Sequence, residues 1–276
     1  MSGARASVIR NRGLPQKVLD TFGAYIRIDI VEDWMFPLSL VLRYMAVIFP
    51  VLLYFFQSLY LDLGPDQFAF MVIGISVTAG LQDALTGLTG RLQFAQERGT
   101  LETYKVEPVP WAIIPLAMNI WRSLSGAVLA CLMVSVGALF GAPLDLSRVP
   151  LALTILFLGI ISCNAIGTFA ASFLVLFKRG EPVIMIYGLA AGVVGGSLFP
   201  PTVLPGWLRW LSYLVPHSYV ISAERQLLMQ VPPEGGVAPA IVIGALVVFC
   251  IVASASGLYV FDKSLNYAKR LGILGV

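Results

Sequence analysis

The sequence predicts an all-α integral membrane protein with six transmembrane helices. Three observations carry that expectation. Of 276 residues, 58% are hydrophobic and only 12% are charged, about half the roughly 25% charge of a soluble domain. Six stretches of 16 to 29 residues lack Asp, Glu, Lys and Arg, near the ~20 apolar residues a helix needs to cross a bilayer. The basic residues gather between alternate stretches. A soluble enzyme, a disordered chain and a disulfide-stapled module are excluded, because no water-soluble fold of this size hides so much apolar side chain. The net charge of +3 is too small to indicate a nucleic-acid partner.

The elements follow in order. Residues 1–35 form a tail and an amphipathic helix: Leu14, Val18, Phe22, Ile26, Ile30 and Trp34 recur every four residues, with Lys17, Asp20, Arg27 and Glu32 between them. That stripe suits a helix lying on a membrane surface. The preceding tail lacks the apolar segment of a signal peptide, so insertion is expected through internal spans. These are placed at about 36–61, 67–90, 111–140, 149–177, 181–200 and 237–261. A short charged helix is expected at 91–103, interrupted by Gly99 before the capping residue Thr100. After the fifth span, prolines 200, 201, 205 and 216 exclude a continuous helix. Trp207, Leu208, Trp210, Leu211 and Tyr213 nevertheless keep the region apolar. Two short helices dipping back into the outer leaflet over 201–225 reconcile the two facts. A cytoplasmic tail at 263–276 closes the chain.

Orientation follows from Lys and Arg. Thirteen flank one side, in the N-terminal segment, the 91–110 loop, the 178–179 loop and the C-terminal tail; Arg148, Arg209 and Arg225 alone mark the other. The positive-inside rule places both termini in the cytoplasm. Cys131, Cys163 and Cys250 sit in apolar runs with no metal-ligand spacing and read as small buried hydrophobes. His217 stands without a cluster of acids or cysteines and reads as interfacial, with no metal site expected.

Ionisable groups inside a bilayer face the protein interior. Asp83, beside Gln82, is the one acid well inside a span. It reads either as part of a pathway-facing cluster or as a structural partner of a neighbouring helix, with Arg122 as the pairing to test. Arg43 is placed to snorkel inward. Asn164 reads as an interhelical donor or a pathway residue. Gly188, Gly192 and Gly196, spaced four apart, form a small-residue stripe for close packing, within the subunit or along a subunit interface and pathway.

Two sets of residues bear a family resemblance. One is Glu97-Arg98-Gly99-Thr100-Leu101-Glu102 followed by Pro108. The other is Leu198-Phe199-Pro200, Leu204-Pro205-x-Trp207-Leu208, Leu214-Val215-Pro216-x-x-Tyr219 and Glu224-Arg225. In this order, three spans apart, they resemble the membrane subunit of a type-2 ABC exporter, of the drug- and antibiotic-resistance branch. The resemblance implies that Leu14–Trp34 is the connecting helix and that Arg91–Thr103 is the coupling helix, with Glu97 to Glu102 contacting an ATPase. It implies that Pro200–Arg225 closes the pathway outside, with Phe199, Pro200, Pro205, Trp207, Pro216, Tyr219 and Arg225 forming the outer gate.

No G-x-x-x-x-G-K-[ST] occurs, so this chain lacks the phosphate cradle of a P-loop ATPase and carries no catalytic residues or cofactor of its own. The resemblance implies a separate ATPase subunit that binds ATP and Mg, a second permease subunit completing a homodimer, and residence in the cell membrane. The expected cargo is a hydrophobic or amphipathic small molecule moved out of the cell, with lipid-linked polysaccharide as the runner-up. A secondary transporter usually shows discontinuous spans in both halves, and a membrane enzyme needs clustered acids, His or Cys; neither feature is visible.

Overall fold

The computed structural model describes residues 13–98, 109–110, 113–177, 181–230 and 239–271. Ten α-helices account for most of them: α1 (Leu14–Met35), α2 (Pro37–Met45), α3 (Ile48–Tyr60), α4 (Gly64–Glu97), α5 (Ile113–Leu139), α6 (Val149–Phe177), α7 (Glu181–Val194), α8 (Gly206–Ser212), α9 (Pro216–Leu228) and α10 (Pro239–Leu271). No strand occurs among the described residues.

Five stretches are long and apolar enough to cross a bilayer: Pro37–Tyr60, Gly64–Glu97, Ile113–Leu139, Leu146–Phe177 and Ala240–Ala268. The first is two helices in near-continuity. Pro50 lies in the first turn of α3 and offers no N–H to the carbonyl four residues back, so the rod is interrupted there. Phe36, before Pro37, leaves helical geometry at φ −122°, as a residue preceding proline tends to. This bends α1 away from α2.

The centre of the bundle is α4. Its 34 residues span about 51 Å at ~1.5 Å per residue. Ile73, Leu81 and Leu85 on α4 pack with Ile155 and Ile160 on α6, Ile221 and Leu227 on α9, and Leu246 on α10. Lipid is as apolar as these side chains, so close packing rather than escape from water holds the helices together. Gly80 of α4 and Gly126 of α5 face one another so closely that a Cβ on either would press on the other's carbonyl oxygen, at 2.8 and 2.7 Å.

The structure departs from the expected boundaries in three places. Residues 91–97 do not start a separate helix; they continue α4, because nothing between Gly90 and Glu97 breaks it. The last helix runs past the expected end at 261 to Leu271. Most consequential, the expected span 181–200 is a helix of only 14 residues, ending at Val194. At ~1.5 Å per residue it covers about 21 Å, short of the ~30 Å bilayer core. It stops because Gly196 takes φ +79°, a conformation glycine adopts at no steric cost, and Pro200 and Pro201 follow.

The chain after Val194 makes a short 3-10 turn at Pro201–Val203, then α8 and α9, in keeping with the expected pair of short helices. Pro205 precedes the first turn of α8, and Pro216 opens α9. The end of α9 is fixed beside the start of α6: Asp145 donates its N–H to Leu228 O (2.7 Å) and accepts from Gln230 Nε2 (2.7 Å). Hydrogen bonds from Ser147, then Gln230, hold the Asp145 carboxyl below the usual carboxylate range. Since α7 starts just after the other end of α6, the segment 181–230 travels the length of α6.

Candidate functional site

Arg225 sits on the inward face of α9 and is 2% exposed. Its Nε and Nη2 donate to Phe70 O at 3.2 and 3.1 Å, Nη1 to Gly196 O at 2.8 Å, and Nη2 to Ser197 O at 2.8 Å. The guanidinium also lies 3.4 Å from the centre of the Phe70 ring, within cation–π range. The hydroxyls of Thr78 and Ser197 meet at 2.7 Å. The break after α7 is thereby tied to α4. Irregular backbone at membrane depth must find such partners. Gly74 makes room for it, since a Cβ there would strike the Ser197 carbonyl.

The other residues expected at the outer gate divide by burial. Pro216 is buried, Phe199 and Pro200 are half-buried, and Pro205 and Trp207 are exposed. Tyr219 donates from its hydroxyl to Tyr213 O at 2.9 Å, bracing the α8–α9 corner. His217, read from sequence as interfacial, is fully buried. It lies 3.4 Å from the Tyr187 hydroxyl and 3.8 Å from Cys163 Sγ, because α9 packs onto α6 and α7. Cys163 and Cys250 are buried and Cys131 half-buried, all as free thiols.

The glycine stripe is divided. Gly188 faces Gln82 of α4, Gly192 has open space around its Cα, and Gly196 lies beyond the helix in the turn that Arg225 grips. Asn164 joins a buried polar set that ties α4, α5 and α6. Its Nδ2 donates to Ser123 Oγ at 2.8 Å, its Oδ1 accepts from Asn119, and Asn119 Nδ2 donates to Ala84 O at 2.7 Å. Asn119 escaped the sequence reading; its spacing of four from Ser123 is the signal that places both on one helix face.

Asp83 lies between two arginines. Arg43 of α2 pairs with it, and Arg122 Nη1 is 3.5 Å from Oδ1. Arg43 also donates to Ser125 Oγ at 3.2 Å. The structure thus contains the Asp83–Arg122 pairing, with Arg43 as the nearer cation. Asp83→Asn is expected to destabilise the purified protein by about 1–3 kcal/mol, below the ~3–5 kcal/mol of a fully buried pair because Arg122 is half-exposed. Thermal melting checks this, and Asp83→Glu should recover part of the loss.

At the far end of α4, Glu97 is exposed and its Oε1 accepts from Gln93 at 3.4 Å, while the Arg98 guanidinium lies 4.0 Å from the Phe94 ring centre. Gly99, Thr100, Leu101 and Glu102 lie outside the described residues. The helix α1 is bound to this end: Asp29 pairs with Arg91, and Trp121 Nε1 donates to Asp33 at 2.7 Å. Neither pairing was read from the sequence, since the two partners in each lie far apart along the chain, 88 residues for Trp121 and Asp33.

Comparison with known proteins agrees with this geometry. Residues 31–229 match the family model described as ABC-2 type transporter. No curated protein matches the chain. The matched range takes in α2 to α9 entire, from the end of α1 to the Arg225-bearing helix, and covers well over half of the sequence. The chain therefore belongs to the ABC-2 type transporter family and is the multi-pass membrane subunit of an ABC transporter.

Proposed function

We propose that this subunit moves a hydrophobic or amphipathic small molecule out of the cell, in the manner of drug- and antibiotic-resistance exporters, driven by a separate ATPase subunit that binds ATP and Mg. Two copies form the pathway, both termini face the cytoplasm, and α7 with the turn and short helices after it makes a sixth, composite crossing. One observation carries this reading. A single helix, α4, joins Glu97 at its basic-flanked end to Phe70, where Arg225 holds the break after α7. The two positions are 27 residues apart along the helix, about 40 Å at ~1.5 Å per residue. A push by the motor at Glu97 and Arg98 is therefore delivered to the outer closure without a hinge between them.

The decisive experiment is reconstitution of the subunit with its ATPase in vesicles. Export of an amphipathic dye should require ATP and stop when the phosphate-binding lysine of the ATPase is replaced. Transport that persists without any ATPase overturns the reading. Lipid-linked polysaccharide is the second candidate cargo, favoured by the exposed Trp207, Trp210 and Tyr213 around α8, since exposed aromatic rings are surfaces for sugar stacking. ATP-dependent transfer of a lipid-linked glycan, with no dye export, would select it.

A further inference from the structure

A cavity of about 1060 Å³ lies between α1, α2, the end of α4 and the start of α5. It is at the upper limit of small-ligand pockets, which run ~300–1,000 Å³. Its walls carry opposite charges. From α1 come Asp29, Glu32 and Asp33; facing them are Arg43, Arg91, Arg98 and Arg122, contributed by α2, the end of α4 and α5.

These charges do not cancel pair by pair. Asp29 takes Arg91, but Arg43 and Arg122 share the single carboxylate of Asp83, which leaves positive charge in excess on that side even before Arg98, stacked on the neutral Phe94 ring, is counted. The Arg122 side chain is 45% exposed. Opposite, Asp33 accepts from the neutral Trp121 N–H. Among the described residues, no cation lies within ion-pair reach of Glu32 or Asp33. Asp29 adds a further demand: it is 3% exposed, yet its Oδ2 is a buried acceptor with no hydrogen-bond partner. Such a group is costly unless a donor reaches it.

The lining is apolar as well as charged. Ile28, Phe36 and Phe94 belong to it and are all largely exposed. An occupant that suits every part has an anionic group for Arg43 and Arg122, a cationic group for the α1 acids, and an apolar body for the exposed rim. The cation is expected to donate hydrogen bonds, because the accessible acids on that wall, Glu32 and Asp33, are carboxylate acceptors without a cation in ion-pair reach among the described residues. A primary ammonium carries three donors; a quaternary ammonium carries none and is instead recognised by aromatic faces.

We propose that this cavity binds a phospholipid with a zwitterionic headgroup ending in a primary ammonium, taken from the leaflet that α1 lies on. With the termini cytoplasmic, that is the inner leaflet. The phosphate sits between Arg43 and Arg122, and the ammonium faces Asp29, Glu32 and Asp33. The lipid then bridges α1 to α2 and α5, next to the end of α4. The inference concerns binding alone and stands whether or not the cargo assigned above is correct.

The test is native mass spectrometry of the delipidated full-length subunit. The probes are phosphatidylethanolamine, phosphatidylcholine and phosphatidylglycerol with matched acyl chains. Phosphatidylethanolamine should be retained at least ~10-fold over the other two, the lower end of what one hydrogen bond to a charged group contributes. Arg122→Gln should weaken the ethanolamine and choline lipids together. Asp29→Asn should bring their ratio close to one. Because Asp29 also holds Arg91, Glu32→Gln serves as a second variant that disturbs no ion pair, and it should reduce the preference. Soluble phosphoethanolamine should not displace the lipid. Equal retention of the three lipids, preference for the glycerol lipid, or an unchanged ratio in both acid variants overturns the proposal. Displacement by phosphoethanolamine also overturns it, in favour of a water-soluble zwitterion. No retention at all overturns it in favour of a cavity filled by the chain's own residues.

Discussion

Arg225→Ala is expected to lower the stability of the subunit by about 3 kcal/mol or more, because charge-assisted hydrogen bonds contribute ~1.5–3 kcal/mol each and this side chain makes four. The loss exceeds that of an ordinary substitution because of what is left behind. The Gly196 and Ser197 carbonyls stand in irregular backbone, and at membrane depth no water replaces the donor. Arg225→Lys should rescue little. One ammonium on a flexible stem does not reproduce a planar fork that reaches three residues and stacks on Phe70. Arg209→Ala is the control: Arg209 also donates to carbonyls, of Thr202 and Leu204, but from an exposed position on α8, and exposed changes usually stay within ~0.5 kcal/mol. Thermal melting of the three variants in detergent decides the matter. An Arg225→Ala protein that melts with the wild type would remove the clamp from the account, and export should fall with stability if the clamp belongs to the closure.

The second large effect is functional. Glu97→Lys should reduce ATP-driven export more than tenfold while leaving insertion and melting unchanged. Glu97 is exposed and accepts one weak hydrogen bond, from Gln93. A lysine at the C-terminal end of a helix is, if anything, favoured by the helix dipole. Folding therefore has no reason to suffer, and lost export would report lost contact with the ATPase. Co-purification of the ATPase with the variant provides the direct measurement. Normal export by Glu97→Lys would refute the coupling role given to this end of α4.

What the sequence discloses here depends on whether the physics is local. The apolar runs disclose the long helices, since their composition alone makes lipid the solvent. The prolines at 205 and 216 disclose where α8 and α9 begin, because each proline constrains its own turn. Asp83 declares itself as an acid in a span, and Arg122 as the base that needs a partner. The length of α7 is another matter. The run Val183–Leu208 contains no charge and looks long enough to cross. Its early end depends on Gly196 taking a left-handed conformation and on an arginine 29 residues later holding the turn. The polar set of Asn119, Ser123 and Asn164, and the Asp29–Arg91 pair, depend likewise on which helices become neighbours. Periodicity within one helix does not contain that information.

The shortness of α7 also sets a relation between this protein and the thickness of its host membrane. Helix α7 alone falls about 9 Å short of the ~30 Å hydrocarbon core, so on this flank the turn and short helices must complete the crossing, and each ångström they leave uncovered costs a fraction of a kcal/mol in bilayer deformation. The mismatch falls on one side of the bundle, where Met185, Ile186 and Leu189 of α7 point outward. Lipids there must shorten or tilt, or another apolar surface must replace them. Acyl-chain length thus becomes a variable acting on this flank, through the elasticity of the surrounding membrane.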